Sequence, residues 1–541
     1  MHLLSDQPDL ALPHKSTSYC RVKKGNEKGV RWLRSRNAHQ FTMESLSSSK
    51  NEPQLHQDVV SQFPLLNAYT NYLAIFKLDD SIPQASVVSA FRTAFDELKA
   101  KVPWLGHHVE NIGSGPGNSG YFASKPWPAH VPRHDFFVKQ CADVIAPFAV
   151  LEKAGFPVSM IPADVTETWP SLPVPATIRP APVAALQLNF IQGGLILTVT
   201  NHHTMIDGTG LLVFRRMLAT LMDGRPIPED DIAAANLDRT RVIPLLAPGE
   251  PIKDHSHLIR RPQQSPPVSA SPPPSAKWRV FRITRKAAVE IRSLAGDRNS
   301  PAWIPTVPRV STNDVLAAFC WQRIAAARLP ILLKRRPHER SPLGRFGRAI
   351  DARRTMGIPS SYMGHMVYHA VLWLPLETVA SAPLPFLACA LRQALNEANN
   401  PWAVRSYATF LSREPDRSRL LYGGPQNPET DIGLSSLVTS LDWERQPALR
   451  FGPLLGSPVA WRKANHAPFP GCVYFLDTER KVTSEGGDRD GNEDLVLTTL
   501  LCLAEDELDA LRRDSEWMQY FEEVVEPAVD FRKSSGNLSK L

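Results

Sequence analysis

Two adjacent imidazoles and a nearby carboxylate stand in the stretch Thr200-Asn-His-His-Thr-Met-Ile-Asp-Gly208. Imidazole, with an ordinary pKa of about 6.5, is the side chain best suited to take a proton at neutral pH. A hydroxyl that attacks a carbonyl needs its proton removed as the new bond forms. His203 is therefore the candidate general base, with Asp207 close behind to fix the local geometry. The bare spacing His-x-x-x-Asp is weak on its own. Composition predicts roughly one by chance, and His2 with Asp6 supplies another. Requiring His202 and Gly208 as well lowers the chance expectation to on the order of one in a thousand.

The elements around this stretch predict how it is presented. Leu186 to Phe190 and Leu195 to Thr200 are β-rich runs separated by Ile191-Gln-Gly-Gly194, the pattern of a tight hairpin, which puts the histidines at the end of its second strand. After Gly208, the apolar residues Leu211, Leu212, Phe214, Leu218 and Leu221 follow helical spacing, and Asp223-Gly224 is a stop signal. The predicted order is strand, histidine turn, helix.

A chain of 541 residues exceeds what one hydrophobic core supports. Its 43% apolar and 21% charged content is that of a soluble globular protein. No run approaches the roughly 18 apolar residues of a membrane helix, and Met1 to Leu10 lacks the apolar core of a secretory leader. The cysteines at 20, 141, 320, 389, 472 and 502 form no C-x-x-C pair, so reduced thiols in a cytoplasmic protein are expected, with no zinc site and no disulfide framework. The net charge is +7, but residues 1–42 hold eight Lys or Arg against three acids, which leaves only +2 for the rest. Charge confined to a tail argues against a nucleic-acid surface. The predicted organisation is a disordered basic extension at 1–55, a first domain at 56–259, a proline-rich crossover linker at 260–277, a second domain at 278–530 and a tail at 531–541. Alternating strand and helix signals in both halves predict α/β layers.

The motif His202-His203-x-x-x-Asp207-Gly208 resembles the signature of the plant and fungal acyltransferases known as the BAHD family, in particular its trichothecene 3-O-acetyltransferase-like branch. Further stretches follow in the same order. Leu98 to His108, with Pro103-Trp-Leu-Gly106, is similar to the family's "fPxlaGr" segment, and Gln187 to Gly194 to its "Qvn.f.cGG" hairpin. Ser311 to Trp321 is similar to "STndvlsAfiW", and Ile350-Asp-Ala-Arg353 with Tyr362-Met-Gly364 to "vdxR…yfGN". Val438-Thr-Ser-Leu441 followed by Arg450-Phe-Gly-Pro-Leu-Leu-Gly456 keeps the spacing of "TSW" before "DFGWG".

The resemblance implies two chloramphenicol-acetyltransferase-like domains, each a mixed β-sheet flanked by helices, with a solvent channel between them and His203 inside it. It implies an acyl-CoA, acetyl-CoA by default, as co-substrate rather than a bound cofactor, a small hydroxylated acceptor as the other partner, and a chain acting as a monomer without membrane or nucleic acid. His202 takes a packing role. Asp207 turns away from the substrate into a salt bridge with Arg353, and Thr439 matches a channel threonine able to meet the negative charge of a tetrahedral intermediate. Two departures stand out. Arg450 replaces the aspartate before Phe-Gly, which bears on local salt bridges, and Leu441 replaces the tryptophan of "TSW", which bears on the acceptor pocket. For the phosphates of coenzyme A, the second half offers the basic set Lys334, Arg335, Arg336, Arg340, Arg345 and Arg348, of which Arg335, Arg336 and Arg345 are the candidate ligands; a charged surface loop is the competing reading.

Other motifs fail on their details. Gly113 to Gly120 has no Lys-Ser/Thr and contains a proline, so it is no phosphate cradle. Asp488 to Asp494 misplaces the glycine of a calcium loop. His365 and His369 have helical metal-ligand spacing but strand-like neighbours, so no metal is expected. The leading reading is a CoA-dependent O-acyltransferase acting on a secondary metabolite such as a terpenoid, polyketide or alkaloid. The alternatives are a condensation-domain-like enzyme that takes acyl groups from carrier proteins, and a non-catalytic binder.

Overall fold

The computed structural model describes residues 58–169, 171, 180–260, 275–338, 342–438, 449–463, 468–480 and 495–524. The described residues belong to one compact unit. Its strands are β1 (Tyr69–Lys77), β2 (His108–Ile112), β3 (Tyr121–Lys125), β4 (Phe136–Gln140), β5 (Ala181–Pro182), β6 (Ala184–Ile191) and β7 (Gly194–His202) in the first half. The second half supplies β8 (Ala276–Thr284), β9 (Leu343–Asp351), β10 (Val367–Pro375), β11 (Ile432–Ser436), β12 (Ala460–Lys463), β13 (Cys472–Arg480), β14 (Leu495–Ala504) and β15 (Phe521–Glu523).

Two mixed sheets flanked by helices dominate. One has the order β12-β1-β7-β6-β4 and the other β10-β9-β11-β13-β14-β8-β15, with a small sheet β3-β2-β5 beside the first. Of the linker expected at 260–277, residues 261–274 lie outside the described residues, as do the extension at 1–55 and the tail at 531–541, while Ala276 and Lys277 already belong to β8. The halves are nevertheless interlocked, because β12 leaves the second half and pairs with β1 at the edge of the first sheet.

The hairpin β6–β7 forms where the glycines predict it. Ile191 pairs with Gly194, and Gly193 has φ +69, a left-handed conformation that glycine adopts without steric cost. Every residue of β6 and β7 is buried, and the polar side chains Gln187, Asn189, Thr198 and Thr200 among them are tied up in buried hydrogen bonds. The helix Gly208–Met222 follows and stops at Asp223 and Gly224, the latter at φ +69. Its apolar stripe packs with Phe91, Phe95 and Leu98 of the helix Gln84–Lys101 into one core. A second core surrounds the helix Thr312–Arg335, which opens on a capping box between Ser311 and Asp314.

That helix corrects one expectation. Among the described residues it alone is long and apolar enough to cross a bilayer, although the sequence was expected to hold no such run. Here its apolar surface is covered by protein, and Arg323 and Arg328 within it pair with Asp514 and Glu507.

Candidate active site

His203 lies one residue beyond β7 and is half-buried. Its backbone N–H donates to the Ala68 carbonyl at 2.8 Å, which continues the β1–β7 ladder by one residue. The imidazole Nδ1 lies 3.2 Å from the Ile206 carbonyl oxygen. A carbonyl can only accept, so this contact assigns the proton to Nδ1 and leaves Nε2 with a free lone pair. Burial lowers the His203 pKa below 6.5; the nearby Lys463 charge acts in the same direction, and Asp207 opposes both. The ring is therefore neutral at neutral pH, the state a proton acceptor needs.

The neighbouring imidazole is occupied otherwise. His202 is buried, its Nδ1 lies 2.8 Å from Thr204 Oγ1, and its ring meets Tyr69 edge-on at 5.0 Å. On the far side of His203, the ring of His365 lies 5.8 Å away. Burial, followed by the proximity of His203, holds the His365 pKa well below its usual value.

Asp207 does not touch the His203 ring. It caps the helix Gly208–Met222, with Oδ1 accepting from the Gly210 N–H at 2.7 Å. The Arg353 guanidinium donates to both of its oxygens at 2.9 Å, and the Met366 N–H donates to Oδ2 at 2.9 Å. Arg353 also donates to the carbonyls of Tyr362 and Gly364 and to Asp351. The structure thus brings together the two charges the sequence set 146 positions apart. It also explains Gly210, where a Cβ would lie 2.1 Å from the Met363 carbonyl oxygen.

A second buried pair had no sequence signal. Asp58 and Arg239 meet at 2.7 Å, both almost fully enclosed. Tyr362 donates its hydroxyl to Asp58, and Arg239 donates to the Met205 carbonyl at 2.6 Å, inside the histidine loop. Burial raises the Asp58 pKa, and Arg239 opposes the shift. The two ion pairs grip the loop from opposite ends, Arg239 at Met205 and Arg353 at Asp207.

The predicted phosphate ligands do not converge on one surface. Arg335 and Arg336 are exposed but paired with Asp506 and Glu429. Arg345 is a correction: it is buried, its guanidinium donates to the Gly423 carbonyl, and its backbone N–H bonds Asp431. Arg348 is likewise tied to Asp314 and Asn313. Both sit on β9, whose pairing carries them into the fold while residues 334–336 stay at the end of a helix. Arg340, Thr439, Leu441 and the loop Asp488 to Asp494 lie outside the described residues. Lys463 on β12 was not anticipated from sequence. Its ammonium acts on His203, and burial lowers its own pKa to about 8.

The segment Arg450–Gly456 holds the helix that follows the histidines. Phe451 is fully buried, edge-on to Phe76 at 5.2 Å. Gly452 has φ +75, and a Cβ there would lie 2.3 Å from the Met222 carbonyl oxygen. The reversed charge finds an acid, with Arg450 3.9 Å from Asp223 at that helix's end.

Comparison with known proteins agrees with this architecture. The family model "Trichothecene 3-O-acetyltransferase-like N-terminal domain" matches residues 68–221, and "Transferase family" matches residues 161–482. The chain is 39% identical to O-acetyltransferase SAT5 of Stachybotrys chartarum over 89% of its own length and 98% of that protein. It is 38% identical to O-acyltransferase pigD of Monascus ruber, over 87% and 99%. The crystal structure of F. graminearum TRI101 complexed with coenzyme A and deoxynivalenol superposes with a TM-score of 0.75 at 28% identity, covering 88% of this chain and all of that one. The chain is an acyltransferase that belongs to the BAHD transferase family, in its trichothecene 3-O-acetyltransferase-like branch.

Proposed function

We propose that this protein transfers an acyl group, acetyl by preference, from coenzyme A to a hydroxyl of a small secondary metabolite, with Nε2 of His203 as the general base. The observation that carries the reading is the Nδ1 contact with the Ile206 carbonyl, which leaves Nε2 as the open proton acceptor on a neutral, half-buried ring. The relatives support the chemistry: SAT5 is named an O-acetyltransferase, and TRI101 was crystallised with coenzyme A and deoxynivalenol.

In this reading the acceptor hydroxyl gives its proton to Nε2 as its oxygen bonds to the thioester carbon. The tetrahedral intermediate re-forms its carbonyl and breaks the carbon–sulfur bond. The departing thiolate then takes the proton back from His203. Asp207 takes no part in the proton transfer, because its oxygens are engaged by Arg353, Gly210 and Met366; it holds the loop in place.

The test is free-thiol release from acetyl-CoA by purified protein, with and without hydroxylated metabolite extracts, alongside mass analysis of the products. Acceptor-dependent release with a matching mass gain of one acetyl group supports the reading. Refusal of acyl-CoA together with turnover of an acyl carrier protein thioester would favour condensation-type chemistry instead.

A further inference from the structure

The first sheet shows which side chains share the face of His203. Directly opposed residues in an antiparallel pair lie on the same face. Lys463 on β12 opposes Tyr72 on β1, and Tyr72 opposes Val199 on β7. Alternation along β7 then places Asn201, and His203 one step past the strand's end, on that face. The packing agrees, because Tyr72, Val199 and Trp461 all belong to one core cluster. The backbones of Lys463 and His203 are two strands and four residues apart, roughly 16 Å for ordinary sheet spacings. Across that interval the Lys463 charge acts with burial to lower the His203 pKa.

What lies there lacks ordinary partners. Lys463 is 9% exposed, and among the described residues no carboxylate stands at ion-pair distance from its ammonium. Glu167, the acid that acts on it, accepts instead from Ser171 at 2.5 Å. The lysine's contact with β13 is the ring of Tyr474, 5.2 Å away. Asn201 is fully buried, with both side-chain amide atoms unpartnered among the described residues. A buried amide without partners carries a desolvation cost, and burial disfavours the charge on Lys463; together they mark a place where something polar and negative binds.

We propose that Lys463 is a catalytic residue of the transfer step, presenting its ammonium to the negative charge that forms on the thioester oxygen, with the Asn201 amide on the same sheet face as a second donor. This rests on the acyl-transfer reading above. As the acceptor oxygen bonds to the carbonyl carbon, the electron pair of the C=O bond moves to oxygen, facing Lys463, while the hydroxyl proton goes to His203. Collapse re-forms the carbonyl, expels the thiolate, and returns the proton from His203 to sulfur. Lys463 and Asn201 exchange no proton, and the products are an ester and a free thiol. Because the ammonium lies across the face from Nε2, it also keeps the base neutral. The titratable groups around the two are Asp207 and His365 on the side of His203, and Glu167 and Cys472 on the side of Lys463.

The experiment compares wild type with Lys463→Met, Lys463→Arg and Lys463→Gln in the thiol-release assay, each checked by thermal unfolding. Removing one donor from an oxyanion site lowers kcat by about 10²- to 10³-fold, and that loss is expected for Lys463→Met with KM for acetyl-CoA changed less than threefold. Lys463→Arg, which keeps the charge, is expected to exceed Lys463→Gln by at least tenfold, a comparison that holds even where the Met variant folds poorly. Removal of the cation should also move the acid limb of the kcat/KM profile to higher pH. A Met variant within threefold of wild-type kcat, equal rates for Arg and Gln, or an unmoved acid limb overturns the proposal. A wild-type protein that releases no thiol under any acceptor sinks the acyl-transfer reading itself, which is a separate failure.

Discussion

On one side of His203 the polar groups are satisfied; on the other they are not. The Asp207 carboxylate accepts from a helix N–H, a second backbone N–H and both ends of a guanidinium. On the other side, among the described residues, Asn201 is fully buried with its amide unpartnered, and Lys463, two strands away, is 9% exposed with no carboxylate at ion-pair distance. A satisfied buried ion pair fixes geometry, because removing either partner strands a charge out of water. An unsatisfied buried donor adds nothing to the resting fold and is useful only when a ligand arrives. The contrast divides the site into a frame that holds the imidazole and a face prepared for negative charge.

The largest expected effect falls on the group between these sides. His203→Ala should lower kcat by about 10²- to 10⁴-fold, the usual contribution of a general base, with little change in thermal unfolding because the residue is half-buried. Equal losses of rate and stability would mean that His203 belongs to the frame. Asp207→Ala tests the frame directly. Stranding Arg353 should cost about 3 to 5 kcal/mol in denaturant unfolding, and a variant as stable as wild type that has lost turnover would assign Asp207 to the chemistry.

The acid limb of kcat/KM sharpens the division. Burial and then Lys463 hold the His203 pKa below 6.5, so the base stays competent as pH drops through 6.5, and the limb should fall below that value. The same shift has a stability sign. The folded state binds this proton less tightly than the unfolded chain, so the contribution of His203 is fully present above pH 6.5 and is lost as pH falls from there. A limb at or above 6.5 would mean that the neighbouring charges do not act as placed. The smallest effect is expected at Arg450, whose exposed, loose contact with Asp223 places Arg450→Ala within about 0.5 kcal/mol of wild type. A larger loss would extend the frame to the end of the helix.

Much of the frame could be read in advance, for local reasons. The hairpin at Gly193 and the helix ending at Gly224 rest on glycines in left-handed conformations flanked by apolar runs, and such signals act over a few residues. The Asp207–Arg353 pair was reachable only through the family pattern, since nothing local links positions 146 apart. Asp58 and Arg239, 181 positions apart, sit in irregular segments without periodicity and gave no warning. The basic set at 334–348 shows the opposite error: adjacency in sequence suggests one patch, yet β9 buries Arg345 and ties Arg348 to Asp314, while Arg335 and Arg336 stay outside.

The order of residues by itself determined the strand, turn and helix that present His203, because hydrophobic periodicity and glycine conformation act through nearest neighbours. Only the tertiary structure decided which distant charges meet Asp207, which pair grips Met205, and that a lysine on a strand crossing from the second half faces the base. Those choices depend on strand order and register, which bring residues hundreds of positions apart onto one face of a sheet.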